Sequence, residues 1–278
     1  GDVIVFRGWD EHRVHPVTKG SRRILVVEWW ASERPSAAVP RGPDSKDGME
    51  FALGLDSDSA ILHHGLGTKL LETRDLYEAE RSIERALELA PLYGNAHYTL
   101  GSLRSDRGDL KLAASSFRAA LRIDPEDADA HKDLGKLHLK RDKLDKAASR
   151  LRKAVKLRPE DADAHNTLGT VYHSKRDVEK ALEHFKAARD LKSGSASIHY
   201  NLGIAYRDRK DLDNSLACFR EAVSIDPDNV NSLMNLGVVQ TQKGQHSKAI
   251  NTFKAILRLE PGNAGAKQNL DIITRAGK

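Results

Sequence analysis

The sequence is poor in cysteine and has no long apolar run. Cys218 is the single cysteine among the 278 residues, so no disulfide can form within the chain, which favours a reducing compartment. No stretch approaches the roughly 20 consecutive apolar residues that a membrane helix needs. The charge is also nearly balanced, with 45 Lys and Arg against 40 Asp and Glu. This balance is typical of a solvated helical surface, so we predict neither nucleic acid nor membrane as a partner.

The sequence has no signal peptide, and it begins with Gly1 instead of methionine. We therefore expect it to be part of a longer protein, and we favour a cytoplasmic location. An apolar fraction of 39% and a charged fraction of 31% are typical of a helix-rich protein with one or two domains.

Residues 60 to 261 repeat one pattern every 34 residues, and a fixed period of this length marks an array of stacked units. Within each unit the apolar residues recur at three- and four-residue steps, which predicts two amphipathic helices. Each unit carries a Leu-Gly pair, and five of the six units close with a proline, which cannot continue a helix. The glycines of the pairs are Gly67, Gly101, Gly135, Gly169, Gly203 and Gly237, and the closing prolines are Pro91, Pro125, Pro159, Pro227 and Pro261.

This pattern resembles the tetratricopeptide repeat. The resemblance implies an all-α superhelical solenoid of helix-turn-helix repeats, which binds a protein or peptide in its concave groove. We assign six repeats and a capping helix, which covers the end of the array. Their bounds are 60–93, 94–127, 128–161, 162–195, 196–229, 230–263 and, for the capping helix, 264–278.

In the tetratricopeptide family, fixed positions on the first helix of each repeat face the groove. Carried over to this sequence, they predict a mixed polar and aromatic groove suited to an extended peptide or a helix. The predicted groove residues are Asn95, Tyr98, Ser102, Lys132, Lys136, Asn166, Thr170, His173, Tyr200, Arg207, Asn231 and Met234.

Histidine recurs at one position of the first helix in five units. A row of metal-binding or pH-sensing histidines is one interpretation. Packed helices lie about 8–10 Å apart and zinc–nitrogen bonds measure about 2.1 Å, so neighbouring rungs would hardly share a metal. We therefore prefer a packing role. The histidines are His63, His97, His131, His165 and His199.

Two specialised variants of the family fit less well. Asn201 and Asn235 precede Leu-Gly, as in the asparagine ladder of the O-linked N-acetylglucosamine transferase repeats, but other residues stand there in most units. The chaperone-binding subtype uses Lys and Asn as a carboxylate clamp across three units. Lys132 and Lys136 do not assemble that set, so a C-terminal carboxylate is not the favoured ligand.

Residues 1–30 lack the repeat. The stretches GDVIVF, at residues 1–6, and RRILVVEWW, at residues 22–30, are predicted strands joined by a polar loop. Two strands alone do not make a stable domain, so we expect them to be the end of a larger sheet.

The stretch from His12 to Arg22, with its Pro-Val-Thr-x-Gly turn, resembles the C-terminal part of the prolyl-hydroxylase-like Fe(II)/2-oxoglutarate dioxygenases. The resemblance implies that His12 is the distal iron ligand and that Arg22 binds the far carboxylate of 2-oxoglutarate. His15 is a rival to His12 as the iron ligand. Alternatively, His12 and Arg22 could be ordinary loop and strand residues. No His-x-Asp precedes His12 in this sequence. We therefore expect the chain as given to be inactive and to bind neither Fe(II) nor 2-oxoglutarate.

Residues 31–59 contain three prolines and three glycines, and we interpret them as a linker. Met49 to Leu55 is their one apolar patch, which either packs on the first repeat or belongs to a flexible tether, the alternative we prefer. Ser59 or a neighbouring Asp is expected to cap the first helix of the array.

The sequence thus predicts a protein-binding scaffold. In the intact protein, we expect it to be attached to a dioxygenase that hydroxylates a polypeptide. The alternatives are a pure adaptor without catalytic activity and a nucleic-acid-binding protein, for which binding would depend steeply on salt.

Overall fold

The computed structural model of the chain describes residues 15–19, 22–26 and 46–276. The described part contains a two-stranded sheet and fourteen helices. The strands are β1 His15–Lys19 and β2 Arg22–Val26. The helices are α1 Lys46–Leu55, α2 Ala60–Glu72, α3 Leu76–Leu89, α4 Gly94–Asp106, α5 Leu110–Ile123, α6 Ala128–Lys140, α7 Leu144–Leu157, α8 Ala162–Ser174, α9 Val178–Leu191, α10 Ala196–Asp208, α11 Leu212–Ile225, α12 Val230–Gln242, α13 His246–Leu259 and α14 Ala264–Ala276.

Helices α2 to α13 form six antiparallel pairs, and α14 packs on the last pair. In every pair the first helix has 13 residues and the second has 14. This all-α solenoid with a capping helix confirms the predicted fold class. None of the described helices is both long and apolar enough to cross a membrane.

The two strands pair antiparallel, with Lys19 opposite Arg22. The prediction of a loop was wrong for His15–Lys19, because Val17 and Thr18 are β-branched and two residues suffice to connect a hairpin. The strand predicted to begin at Arg22 is confirmed as far as Val26. The strand predicted at residues 1–6 lies outside the described residues.

The repeated Leu-Gly pair allows the two helices of each unit to approach closely. A Cβ added at Gly203 would lie 2.7 Å from Phe219 Cε1, which is closer than side chains pack. Glycine is therefore required where a bulky side chain of the second helix crosses the first. The same arrangement joins Gly67 to Ile83, Gly101 to Phe117, Gly135 to Leu151, Gly169 to Phe185 and Gly237 to Phe253.

Side-chain caps and left-handed turns set the helix ends. The Ser59 hydroxyl accepts a hydrogen bond from the Leu62 N–H at 3.4 Å, as predicted for the start of the array. Between the two helices of each unit, one residue has a positive φ. In two units it is glycine, which adopts this conformation without strain. The six residues are Arg74, Gly108, Asp142, Arg176, Lys210 and Gly244.

Part of the stretch interpreted as a linker is helical. Helix α1 packs against α2, and Met49 and Leu53 join the core of the first repeat. A Cβ at Gly65 would lie only 3.1 Å from Met49 Sδ, so glycine at this position makes room for the methionine. The structure thus differs here from the preferred interpretation as a flexible tether. The reason is that the apolar side chains of α1 pack on the core of the first repeat.

Cys218 lies half-buried in α11 and packs against the core of the fourth and fifth units. Burial raises the pKa of its thiol to about 11, so the thiolate is scarce at neutral pH. Cys218 therefore acts as a small, largely apolar side chain in this packing.

Candidate peptide-binding groove

The array curves so that its first helices line the inner side. First helices of neighbouring units approach within 8 Å between Cα atoms, from α2 and α4 through to α12 and α14. Among the described helices, no second helix comes this close to the next second helix. The first helices therefore form the concave face and the second helices splay apart on the outer face.

The structure places all twelve predicted groove residues on first helices, between α4 and α12. Asn95 and Asn231 are exposed, and the other ten are half-buried. The ten half-buried residues are thus neither core residues nor fully solvated surface side chains. Such half-buried polar groups can bind a ligand if their own hydrogen bonds leave them accessible.

Hydrogen bonds join the predicted residues to the next first helix. Tyr98 Oη donates to Asp133 Oδ2 at 2.7 Å. Asn201 Nδ2 donates to Asn166 Oδ1 at 3.0 Å, and Asn235 Nδ2 donates to Tyr200 Oη at 3.4 Å. Each bond spans 35 residues, so it joins one helix to the residue preceding Leu-Gly on the next.

The acceptors and donors that precede Leu-Gly were not predicted as groove residues. Asn201 and Asn235 appear in the sequence analysis only for their resemblance to an asparagine ladder, and Asp133 stands at the same repeat position. The signal in the sequence is a polar residue before nearly every Leu-Gly pair. Its role becomes visible only when neighbouring helices are placed side by side. We call these inter-helix contacts the groove ladder.

Tyr98, the ladder residue of the second unit, remains protonated. Burial, followed by the hydrogen bond and the negative charge of Asp133, raises the pKa of Tyr98 well above its usual value. The ring also packs at 5.7 Å from the ring of Phe117, between centroids. Tyr98 is therefore a fixed hydrogen-bond donor with one ring face on the core.

The lysines of the third unit are paired within the protein. Lys132 Nζ lies 2.8 Å from both Asp129 Oδ1 and Asp161 Oδ2. Burial alone would lower the pKa of Lys132, but these two hydrogen bonds raise it above its usual value. Lys136 Nζ bonds Asp163 in the same way. These ammonium groups are therefore occupied by carboxylates, which is a physical reason for the missing carboxylate clamp.

The five repeated histidines bond to backbone rather than to one another. His97 Nε2 lies 3.0 Å from the carbonyl oxygen of Pro91, six residues earlier in the preceding turn. The other four make the same contact at 2.8 to 3.1 Å. Each histidine thus joins a first helix to the turn before it, which supports the packing role. The four are His63, His131, His165 and His199.

The C-terminal part of the groove carries an arginine and a histidine. His173 Nε2 lies 2.8 Å from Asp208 Oδ2, and Arg207 donates to Asn235 Oδ1. Tyr200 and Met234 stand on the same helices as these polar groups and are half-buried. Aromatic, apolar and charged side chains therefore occur together in this part of the inner face.

The predicted iron and cosubstrate ligands do not form a site in the described residues. His12 lies outside them, and Arg22 is the first residue of β2. Within the ranges 15–19, 22–26 and 46–276, no group of three His, Cys, Asp or Glu side chains is arranged to hold a metal ion. The described residues therefore do not fit an iron centre by themselves.

Sequence profiles of the tetratricopeptide repeat match residues 64–128, 132–196, 196–229 and 218–251, which is more than half of the chain. The chain belongs to the tetratricopeptide-repeat family. No curated protein sequence matches it.

Several solved structures share the fold. The chain is 21% identical to PilF of Pseudomonas aeruginosa, with a TM-score of 0.68, over 81% of this chain and 100% of that one. It is 25% identical to YrrB, a tetratricopeptide protein with an unusual peptide-binding site, with a TM-score of 0.59, over 68% and 97%. In the Cut9–Hcn1 hetero-tetramer of the APC/C, the matched chain is 21% identical, with a TM-score of 0.65, over 83% of this chain. This chain spans about half, 46%, of that one.

Proposed function

We propose that the protein is a scaffold whose concave groove binds an extended segment of a protein partner. The observation that carries this proposal is the inner face, where twelve polar, aromatic and apolar side chains lie half-buried or exposed on consecutive first helices. A continuous row of such groups suits a chain that runs along the array.

The groove ladder favours binding because it holds these side chains before a ligand arrives. Immobilising a flexible side chain on binding costs about 0.5–1.5 kcal/mol, and a side chain already bonded to its neighbour has lost much of that freedom. Asn166 and Tyr200 each bond the next first helix and keep further hydrogen-bonding capacity. They are therefore suited to peptide backbone groups.

The C-terminal half of the groove is the favoured location. In the third unit, Lys132 and Lys136 are paired with aspartates and offer little to a ligand. Further along, the half-buried Ile204 lies between Tyr200 and Arg207 on α10, and the half-buried Val238 follows Met234 by about one turn on α12. We propose that apolar side chains of the ligand contact this stretch. The peptide-binding site named for YrrB is in line with this use of the fold.

A peptide selection tests the groove. Dodecapeptides selected from a random phage library against the wild-type protein would be labelled and titrated by fluorescence anisotropy. We expect Tyr200→Ala and Arg207→Gln to weaken the selected peptides at least tenfold, since buried aromatic and arginine side chains carry most interface energy. Matched controls are Tyr77→Ala and Arg220→Gln on second helices, where the ring of Tyr77 is 75% exposed. Equal affinity for wild type and groove variants would refute the proposal.

We also propose, from the resemblance of residues 12–22 alone, that the repeats present a polypeptide to a 2-oxoglutarate-dependent Fe(II) dioxygenase in the intact protein. His12 would then be one iron ligand and Arg22 would bind the cosubstrate carboxylate. The alternative is an adaptor without catalytic activity. Because the described residues do not fit an iron centre, no catalytic step is assigned to them.

The dioxygenase proposal is tested on a longer form of the protein that includes the residues preceding this sequence. We expect 2-oxoglutarate turnover that falls to background in His12→Ala and Arg22→Ala. The neighbouring Arg23→Ala is the matched control, because successive side chains of a strand point to opposite faces. Turnover that is unchanged in both variants would remove these two residues from the site, and no turnover by any form would favour the adaptor.

A further inference from the structure

The outer face of the array has its own grooves, between neighbouring second helices. The first two of these outer grooves each have a polar side chain of a first helix beneath them. In the groove between α3 and α5 this side chain is Arg104 of α4, which is 16% exposed. Its guanidinium bonds Glu80 at 3.0 Å and Glu84 at 2.7 Å, both on α3, so carboxylates fill this groove.

The next outer groove, between α5 and α7, lacks such carboxylates. One repeat length of 34 residues after Arg104 stands His138 on α6. The residues one repeat after Glu80 and Glu84 are Ala114 and Arg118. Both acidic side chains of the first groove are thus replaced, one by a cation.

This second outer groove carries a surplus of positive charge. Among the described residues, none of its cations has a carboxylate within ion-pair distance. Two nearby acids are engaged elsewhere, since Asp145 pairs with Lys175 at 2.6 Å and Asp127 caps α6. The unpaired cations are Arg118, Lys143, Lys146, Arg150 and Lys153.

A buried polar atom lies beneath the same groove. The side chain of His138 is 5% exposed, and its Nδ1 has no hydrogen-bond partner. Burial, together with the charges of Arg118, Arg150, Lys146 and Lys143, lowers the pKa of His138 to about 4. The ring is therefore neutral at physiological pH, and its surroundings favour a negative charge.

We propose that the outer groove between α5 and α7 binds an acidic peptide segment of a partner protein, whose carboxylates take the place that Glu80 and Glu84 hold in the preceding groove. Arg118 and Arg150 would bind these carboxylates through charge-assisted hydrogen bonds. This surface lies on the opposite side of the array from the concave groove, so the inference is independent of the function proposed above.

The shape of the site favours an acidic peptide over nucleic acid. The cations stand on two neighbouring second helices. The preceding groove, between α3 and α5, has the same helix arrangement and accommodates the carboxylates of Glu80 and Glu84. A single extended chain can run between two helices. A duplex, with phosphates on two strands around a wide cylinder, would contact only the rim of such a groove.

The test uses a fluorescein-labelled decaglutamate peptide and fluorescence anisotropy in low salt. We expect binding by the wild-type protein and at least a tenfold loss in Arg118→Gln/Arg150→Gln. The matched control is Arg220→Gln, because Arg220 stands at the same repeat position as Arg118 but on α11. The control and the concave-groove variant Tyr200→Ala should stay within twofold of the wild type.

Further arms identify the class of ligand. A labelled ten-residue oligothymidine and phosphatidylserine vesicles should bind more weakly than decaglutamate, and the imidazole NMR signals of His138 should shift on addition of the peptide. Tighter binding of the oligonucleotide or the vesicles would overturn the proposal, as would absence of decaglutamate binding or an equal loss in Arg220→Gln. Unchanged melting temperatures of the variants would exclude unfolding as the cause.

Discussion

The interior of the helix pairs and the inner face of the array follow different rules. Inside each pair, a glycine faces a bulky apolar side chain, and this contact is repeated six times with almost the same geometry. On the inner face, the residue that begins the groove ladder changes from unit to unit. It is a histidine in the first unit, a tyrosine in the second and fifth units and an asparagine in the fourth.

This difference separates folding from recognition. The repeated interior contact buries large side chains almost completely, and the same packing of glycine against a bulky side chain occurs in all six units. The variable inner face contributes single hydrogen bonds between half-buried groups, each worth about 1 kcal/mol. We therefore expect changes in the interior to cost far more stability than changes on the inner face, and the following experiments test that expectation.

The largest loss is expected for Phe219→Ala. Phe219 is fully buried, and replacing a buried phenylalanine with alanine costs about 3–5 kcal/mol through lost transfer energy and a cavity. Urea denaturation with hydrogen exchange should place the loss in the fifth unit and its neighbours. Leu112→Ala is the control, because Leu112 is 51% exposed and should change stability by under about 0.5 kcal/mol.

A double variant shows whether the glycine contact is responsible. In Gly203→Ala the added methyl group would lie 2.7 Å from the Phe219 ring, which costs about 1–3 kcal/mol through strain. Combining it with Phe219→Ala removes the clash, so the double variant should lose less than the sum of the two single losses. Strict additivity would contradict the close-approach explanation.

The next prediction concerns the pH dependence of stability that arises from His138. The pKa of His138 is about 4 in the folded protein and about 6.5 when the chain is unfolded, so the unfolded state binds a proton first. The free energy of unfolding is therefore not reduced by His138 above pH 6.5. It falls by about 2–3 kcal/mol as the pH decreases towards 4. His138→Gln should flatten the stability profile between these values. The exposed His246→Gln should leave it unchanged.

A smaller effect is expected on the inner face. Tyr98→Phe removes the hydroxyl that donates to Asp133, but it keeps the ring against Phe117. The loss should be about 1 kcal/mol in urea denaturation, since Asp133 can still be hydrated. Tyr77→Phe, at an exposed tyrosine, should have no measurable effect. A loss for Tyr98→Phe as large as that for Phe219→Ala would break the distinction between interior and inner face.

The smallest change is expected in the turns between helices. Lys210 has a φ of 65°, a conformation that costs side chains other than glycine free energy, so Lys210→Gly should stabilise the protein by about 0.5 kcal/mol. The reverse change, Gly244→Ala at a φ of 69°, should destabilise it by about 1 kcal/mol. Opposite signs in thermal denaturation would contradict the assignment of strain to this turn.

The helices of the array could be predicted from sequence because they depend on local periodicity. The Leu-Gly pairs mark the close approach of the two helices within one unit, and the closing prolines mark the end of the second helix. Both features recur with the 34-residue period. Helix α1 was missed because prolines precede it and it contains Gly48 and Gly54, and only the packing of Met49 against Gly65 explains it. Its stability comes from packing, which composition does not reveal.

The site was predictable in its positions but not in its chemistry. The resemblance placed Tyr98 and Lys132 on the inner face, where the structure finds them half-buried. It could not show that Lys132 bonds Asp161 in the turn before α8 or that Tyr98 bonds Asp133. These pairs lie 29 and 35 residues apart, so they depend on the angle between neighbouring units.

The spacing of the helices has a mechanical consequence. Each first helix touches the next, whereas the second helices do not, and contacts within the described array join only neighbouring units. Under tension applied at its two ends, the six units therefore carry the same force in series and their small extensions add. A slight rotation at each junction would change the length and curvature of the whole array while every interior glycine contact stays intact.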